Sequence, residues 1–179
     1  MITRLKPGEC FVMGSNASGF HGAGSAGFAW RGTNDTNWRG DVNFNAALNE
    51  LNKKKKNLNY NKNLLIGKWA VLGENGLMEG KEGKSYGIIT TERPGNQGIV
   101  DLNYVKRELV KLFRTAKENK ELSFLCVNFG LSRKHGGFSW FNPDELRKVW
   151  REVEETEGKV KNLKGPDWSK ENLDQRLGI

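Results

Sequence analysis

The chain has 179 residues, of which 36% are apolar and 22 are glycine, and its formal net charge is +8. That length suits one domain and is enough to bury a hydrophobic core. No run approaches the ~18 apolar residues that a membrane helix needs, and no signal-peptide pattern opens the chain, so we expect a cytoplasmic protein without a membrane partner. Two cysteines and two histidines argue against a disulfide framework and a zinc site, so neither a metal nor a cofactor is expected.

The first third of the chain predicts a strand, a glycine-rich loop and a helix. The apolar run at 9–13 is typical of a buried strand, and small and aromatic residues at helical spacing predict a helix over 24–30. Residues 32–65 are rich in Asn and Lys, and they predict an irregular excursion with one helix around 45–54. The side chains of that helix predicted to face inward are Ala46, Ala47, Leu48 and Leu51.

The rest of the chain predicts further alternation of strands and helices. Strands are predicted at 69–72, 85–91 and 122–128, and helices are predicted after Asp101 and Asn142. Pro143 and Glu145 follow Asn142 as in a helix that opens with a capping box. The alternation predicts a three-layer α/β/α fold with a mixed, mostly parallel central sheet. The domain is predicted to span 1–157, with an insertion at 32–65 and a C-terminal tail at 158–179.

Two glycine-bearing loops follow two of the predicted strands, at 14–24 and 129–137. In open α/β sheets ligands bind outside the carboxyl ends of the strands, and successive backbone N–H groups in a glycine-rich loop can bind an anion. Two such loops side by side suit a diphosphate, whereas the alternative is that the glycines serve only tight turns and close packing. The glycine spacing matches neither the dinucleotide fingerprint nor a P-loop.

The segment 11–26, FVMGSNASGFHGAGSA, resembles the opening "F-V-F-G-S-N-x-x-G-x-H-G-A-G-A-A" of a family of small phage and bacterial proteins with a macro-domain-like fold. Residues 85–91 and 122–130 are similar to two further segments of that family, "S-Y-A-I-P-T" and "L-T-F-L-V-T-x-I-G". The resemblance implies binding of ADP-ribose or a related NAD-derived or cyclic nucleotide. Some macro domains hydrolyse ADP-ribosyl linkages, so the resemblance also raises the hypotheses of an ADP-ribosyl hydrolase and of an ADP-ribosylated macromolecule as partner.

Two residues of the first loop are candidate catalytic groups. Asn16 can orient a ribose hydroxyl or a water, and His21 can act as a general acid or base near pH 7. The structural alternatives are an Asx turn for Asn16 and bonds to backbone carbonyls for His21. Asp35 and Asp41 are candidate general bases if the excursion folds over the pocket. The candidate ligand-binding residues are Gly14, Ser15, Gly22, Ala23, Gly24, Gly130, Leu131, Ser132, Arg133, His135 and Gly136.

A basic segment supports an alternative function. Residues 53–84 carry eight basic and three acidic residues, net +5, and they begin with the run Lys53, Lys54, Lys55 and Lys56. Such a patch attracts polyanions, so the alternative is a nucleic-acid-binding module that uses this segment. The run also fits a solvated surface that keeps the protein soluble. It lacks the aromatic residues that alternate with basic ones in single-strand binders.

Overall fold

The computed structural model describes residues 2–33, 35, 37–94, 97–130, 141–166 and 168. The strands in this part of the chain are β1 (Glu9–Asn16), β2 (Gly76–Glu79), β3 (Lys84–Arg93), β4 (Gln97–Ile99), β5 (Ser123–Cys126) and β6 (Leu163–Lys164). The α-helices are α1 (Gly24–Arg31), α2 (Val42–Lys55), α3 (Leu102–Glu118) and α4 (Pro143–Glu157). Short 3₁₀ helices lie at Trp38–Gly40 and Lys62–Leu65.

The strands form one mixed sheet with β1 at its centre. The order is β2-β3-β1-β5-β6, and β4 also pairs with β3. β1 runs parallel to β3 and β5, and β6 runs parallel to β5, whereas β2 and β4 are antiparallel to β3. Cys10 and Val12 face the helices α3 and α4, while Phe11 and Met13 face α1 and α2. The predicted three-layer α/β/α architecture with a mostly parallel sheet is therefore confirmed.

The helices α3 and α4 begin at the predicted residues. The side chain of Asp101 accepts a hydrogen bond from the Tyr104 amide at 2.8 Å, and that of Asn142 accepts one from the Asp144 amide at 2.9 Å. Pro143 opens α4, where its missing N–H costs nothing. Both helices bury an apolar stripe against the sheet; its fully buried members are Val105, Leu109, Leu112, Ala116, Leu146 and Val153.

An aromatic cluster anchors the 32–65 excursion on the other face of the sheet. Phe44 is fully buried, and its ring centroid lies 5.3 Å from those of Phe20 and Trp30 and 5.7 Å from that of Trp38. The sequence-based helix started three residues too late and missed Phe44. Asp41 starts the helix earlier, because its carboxylate accepts a hydrogen bond from the Phe44 amide at 2.9 Å.

The prediction of a strand at 69–72 is wrong. The segment forms a buried turn in which the Gly67 amide donates to the Ala70 carbonyl at 2.8 Å. The Trp69 amide donates to the carbonyl of Ala29, in the last turn of α1, at 2.7 Å, rather than to a strand of the sheet. The run is apolar because the turn is buried against α1, and burial alone does not distinguish a strand from a turn.

The chain beyond α4 contributes to the sheet and to the core. The strand β6 pairs with β5, and the Asn162 side chain donates to the carbonyls of Ala116 and Leu122 at 2.9 Å each. Trp168 is 2% exposed and its ring packs on those of Phe129 and Trp150. The boundary between domain and tail at residue 157 stays a prediction, with β6 lying beyond it.

Candidate functional site

The carboxyl ends of β1 and β5 lie side by side, because the two strands are parallel neighbours with Val12 opposite Cys126. After β5 the chain continues along β1, and the Val127 amide donates to the Val12 carbonyl at 3.0 Å. Gly14 then lies so near Phe129 that a Cβ added to Gly14 would be 3.2 Å from the Phe129 Cβ. The first glycine loop and the start of the second therefore leave the same edge of the sheet at adjacent positions.

The side chain of Asn16 closes the first loop on itself. Its Oδ1 accepts hydrogen bonds from the Phe20 amide at 3.0 Å and the Ser18 hydroxyl at 2.6 Å, and its Nδ2 donates to the Phe20 carbonyl at 2.9 Å. Gly19 turns the chain with a φ of +67°, and its amide donates to the Asn16 carbonyl at 3.0 Å. This arrangement is the structural alternative for Asn16, whose amide oxygen has both lone pairs in use. A catalytic role for Asn16 stays a prediction.

His21 is fully buried and bonded at both ring nitrogens. Its Nε2 lies 2.8 Å from the Glu74 carbonyl and its Nδ1 lies 2.9 Å from the Ser15 hydroxyl. Because a carbonyl can only accept, Nε2 carries the hydrogen and Nδ1 accepts from Ser15. Burial lowers the pKa of His21 to about 4, so the ring is neutral at pH 7. A catalytic role for His21 stays a prediction, and it would require the loop to open.

The residues Gly22, Ala23 and Gly24 carry the loop to the start of α1. Gly27, in the first turn, packs so closely that an added Cβ would lie 2.6 Å from the Gly22 carbonyl carbon. Ala23 is the N-cap residue; it is exposed, its backbone is extended, and its side chain makes no capping hydrogen bond. The first amides of α1 therefore have no capping side chain. They lie at the positive end of the helix dipole, next to the exposed residue Ala23.

Arg31 holds the excursion against this loop. Its side chain, 3% exposed, donates to the Gly22 carbonyl at 3.3 Å and pairs with Asp35 at 2.8 Å and Asp41 at 3.1 Å. The hydrogen bond from Arg31 lowers the pKa of Asp35. Both candidate general bases are therefore engaged by one guanidinium.

The second predicted loop is described only at its first two residues, Phe129 and Gly130. Gly130 has a φ of +73°, which favours glycine, and an added Cβ would lie 2.9 Å from the ring of Phe141. The Phe141 amide donates to the Gly130 carbonyl at 3.1 Å. The other predicted ligand-binding residues of this loop, which stay predictions, lie outside the described residues: Leu131, Ser132, Arg133, His135 and Gly136.

The sequence analysis missed Asn75, which joins the first loop from a distant segment. Its Nδ2 donates to the Asn16 carbonyl at 2.7 Å, across 59 residues of chain. Its Oδ1 is buried and has no hydrogen-bond partner among the described residues. Gly87 leaves room for this oxygen, since an added Cβ would lie 2.5 Å from it. No local pattern marks such a contact, because both partners lie in irregular or terminal positions of their elements.

Trp168 supports the backbone that leads into the second loop. Its indole Nε1 donates to the Phe129 carbonyl at 3.1 Å. Trp168→Phe keeps an aromatic ring but leaves this buried carbonyl without its donor, so we expect the free energy of unfolding to fall by about 1–3 kcal/mol. Urea denaturation measures the loss, and Trp168→Ala, which also removes the ring contacts, is expected to lose more. Equal stability of Trp168→Phe and the wild type would contradict the role.

The lysines of the basic segment are divided among several elements. The run from Lys53 to Lys56 ends α2, and Lys53 pairs with Glu50 at 3.0 Å. Lys68 lies over the rings of Phe28 and Trp69, at 5.3 and 5.0 Å from their centroids. A nucleic-acid-binding role for this segment stays a prediction.

Comparison of the chain with protein-family models gave no match, and comparisons with curated proteins and with solved structures gave none either. The resemblance to the macro-domain-like family accordingly stays a prediction that depends on its motifs. Within the described residues, no group of three or more His, Cys, Asp or Glu side chains could hold a metal ion. The helices of that same part of the chain include none that is long and apolar enough to cross a membrane.

Proposed function

We propose that this protein binds a nucleotide of the ADP-ribose, NAD-derived or cyclic class at the edge of the sheet where β1 and β5 end. The observation that carries the proposal is the close approach of Gly14 to Phe129, which puts the starts of the two loops at adjacent strand ends. Loops in this arrangement can offer backbone N–H groups to a phosphate pair from two sides.

The start of α1 is the best-supported part of the phosphate site. Its N-cap residue, Ala23, is exposed and leaves the first amides without a capping side chain, and no acidic residue occupies the first turn. A phosphate there would meet N–H donors and the positive end of the helix dipole. The sequence of the second loop adds Arg133 and Lys134, whose charges would favour the same anion.

Binding is proposed ahead of hydrolysis, because the acid and base groups near the first loop are already engaged. His21 is neutral at pH 7 and bonded at both nitrogens, and the Asn16 amide closes its own loop. Asp35 and Asp41 are paired with Arg31. A group that activates water must be free to take up its proton, whereas these groups are already bonded within the protein.

The proposal is tested by changing charge at Ala23 without disturbing the fold. Asp and Ser both cap a helix and are expected to raise stability by up to about 1 kcal/mol, so lost binding cannot be ascribed to unfolding. We expect Ala23→Asp to weaken nucleotide binding by about tenfold or more, close to 1.4 kcal/mol, because its carboxylate repels the phosphate. Ala23→Ser, the matched control, offers the same cap without the charge and is expected to bind about threefold less tightly at most.

Isothermal titration calorimetry with ADP-ribose, NAD and cyclic dinucleotides measures the affinities. If Ala23→Asp and Ala23→Ser bound the nucleotide equally tightly, the start of α1 would not be part of the phosphate site. The absence of heat with all of these nucleotides in the wild-type protein would contradict the proposed function itself.

A further inference from the structure

A concave surface made of two adjoining cavities lies along α2. Two cavities of about 210 and 490 Å³ lie on this helix, and both are lined by Ala46 and Leu64. The α2 residues that line them are Asn43, Ala46, Asn49, Glu50, Asn52 and Lys53, and Lys56 follows directly after the helix. Asn43, Ala46, Glu50 and Lys53 follow the three- and four-residue spacing of one helix face. The 14 residues of α2 span about 21 Å, so this feature, the α2 groove, is long enough for a peptide segment.

Exposed apolar side chains are concentrated in residues 42–64, which form α2 and the segment after it. Among the described residues five large hydrophobic side chains are exposed, and four of them lie between 42 and 64: Val42, Leu58, Tyr60 and Leu64. Leu58, 56% exposed, and Leu64, 40% exposed, line the groove itself. Single exposed apolar residues are ordinary, whereas several grouped around one concave surface are typical of an interaction site.

The charge of the α2 groove is positive. Glu50 in its lining is paired with Lys53 at 3.0 Å, whereas Arg31 is shared by Asp41 at 3.1 Å and Asp35 at 2.8 Å. Lys81 therefore offsets the second of these carboxylates at one end, and Lys56 provides the excess positive charge at the other. An occupant complementary to this surface has apolar groups and a negative charge toward the end that meets Lys56.

We propose that the α2 groove binds an acidic amphipathic segment of a partner protein. Large aliphatic side chains of that segment pack on Ala46, Leu58 and Leu64, and its carboxylates meet Lys56. This inference concerns a surface other than the nucleotide site and does not rest on nucleotide binding.

A protein segment is favoured over a single-stranded nucleic acid by the kind of apolar group that lines the groove. Nucleic-acid bases stack on exposed aromatic rings, whereas Trp30, the aromatic residue in the lining, is 7% exposed, and the exposed apolar side chains there are Leu58 and Leu64. The aromatic ring nearby, that of Tyr60, has the Lys54 amino group over it at 5.8 Å from its centroid. Aliphatic contact with a concave floor is typical of helix-in-groove peptide recognition.

The test uses the full-length protein and fluorescein-labelled helical peptides about 12 residues long, which match the groove. The first peptide carries two leucines four residues apart among Glu and Ala; its two controls replace Leu by Ser, or Glu by Lys. By fluorescence anisotropy we expect the first peptide to bind with a Kd of about micromolar order, and each control peptide about tenfold more weakly. An oligothymidine of similar length is titrated in parallel.

Two paired variants link that binding to the groove. Leu58→Ser with Leu64→Ser, and Lys56→Gln with Lys81→Gln, are each expected to weaken binding of the first peptide by about tenfold. Leu77→Ser and Lys148→Gln change exposed residues outside the groove and are expected to leave the affinity unchanged. All four proteins should unfold at similar temperatures, because the replaced side chains are exposed or line the surface.

Two results would overturn the proposal. One is that none of the peptides binds, or that the first peptide binds the leucine variant as well as the wild type. The other is that the oligothymidine binds in the micromolar range or tighter, loses affinity steeply with added salt and depends on the lysines alone, which would assign the surface to nucleic acid.

Discussion

Replacing Phe44 with alanine is expected to lower the free energy of unfolding by about 3–5 kcal/mol. The Phe44 ring is fully buried and has edge-on contacts with three other aromatic rings, which belong to the first loop, to α1 and to the excursion. Rigid rings cannot collapse into the space that alanine would leave, so most of the cavity remains. Guanidinium denaturation followed by tryptophan fluorescence measures the loss.

The same substitution is expected to affect the first glycine loop. Phe20 lies in that loop and contacts both Phe44 and Trp38, and an added Cβ on Gly22 would lie 2.5 Å from the Phe20 ring. Loosening Phe44 therefore removes support from the backbone of the proposed phosphate site, and nucleotide affinity should fall along with stability.

Two control variants separate these effects from unspecific damage. Phe44→Leu keeps much of the buried apolar volume and is expected to lose clearly less stability than Phe44→Ala. Val42→Ala changes an exposed residue of the same helix and is expected to stay within about 0.5 kcal/mol of the wild type. A loss below about 1 kcal/mol for Phe44→Ala would show that the cluster does not anchor the excursion.

The parts of the fold that the sequence predicts well are those that local signals determine. Asp101 and Asn142 cap their helices through amides two or three residues away, so the capping pattern is visible in the sequence. The run at 9–13 becomes the central strand β1, because a strand covered on both faces must be apolar nearly throughout.

The features that the sequence analysis missed or misassigned depend on contacts between distant parts of the chain. The run at 69–72 is as apolar as a strand, yet its amides bond within a turn and to the end of α1. Phe44 anchors the excursion only because aromatic residues from separate segments pack on it. Asn75 bonds to Asn16 across 59 residues of chain. Composition and periodicity contain no information about such pairings.

For the two glycine loops, the adjacency of their starts was predictable, whereas the hydrogen bonds of single side chains were not. The rule that parallel strands present their carboxyl ends at one edge placed the two loops correctly up to Gly130. Whether a loop histidine is free or bonded depends on partners elsewhere, and here one of them is the carbonyl of Glu74. The side chains of Asn16 and His21 fix the shape of the loop, so the groups left for a ligand are mostly backbone amides.

The free energy of unfolding is expected to fall by about 3 kcal/mol through His21 alone as the pH is lowered from 7 to 4. Burial lowers the pKa of His21 in the folded protein to about 4 from an ordinary value of 6.5. Below pH 6.5 the unfolded chain therefore binds a proton that the folded protein does not accept. The stability that the neutral ring provides is complete above that pH and is lost as the pH falls toward 4.

His21→Gln isolates this contribution, because glutamine can offer a donor to Glu74 and an acceptor to Ser15 but does not titrate. Carboxylates titrate in the same range in both proteins, so the difference between their stability curves reports His21. We expect chemical denaturation at several pH values to give the variant a shallower dependence between pH 6.5 and 4. Parallel curves would mean that the pKa of His21 is the same in the folded and the unfolded chain, so that the folded protein takes up the proton as well. A general acid or base must exchange protons with solvent, so this result would allow His21 that role. The role would then be supported if the protein hydrolysed an ADP-ribosyl linkage and if His21→Gln removed the fall of that activity at low pH.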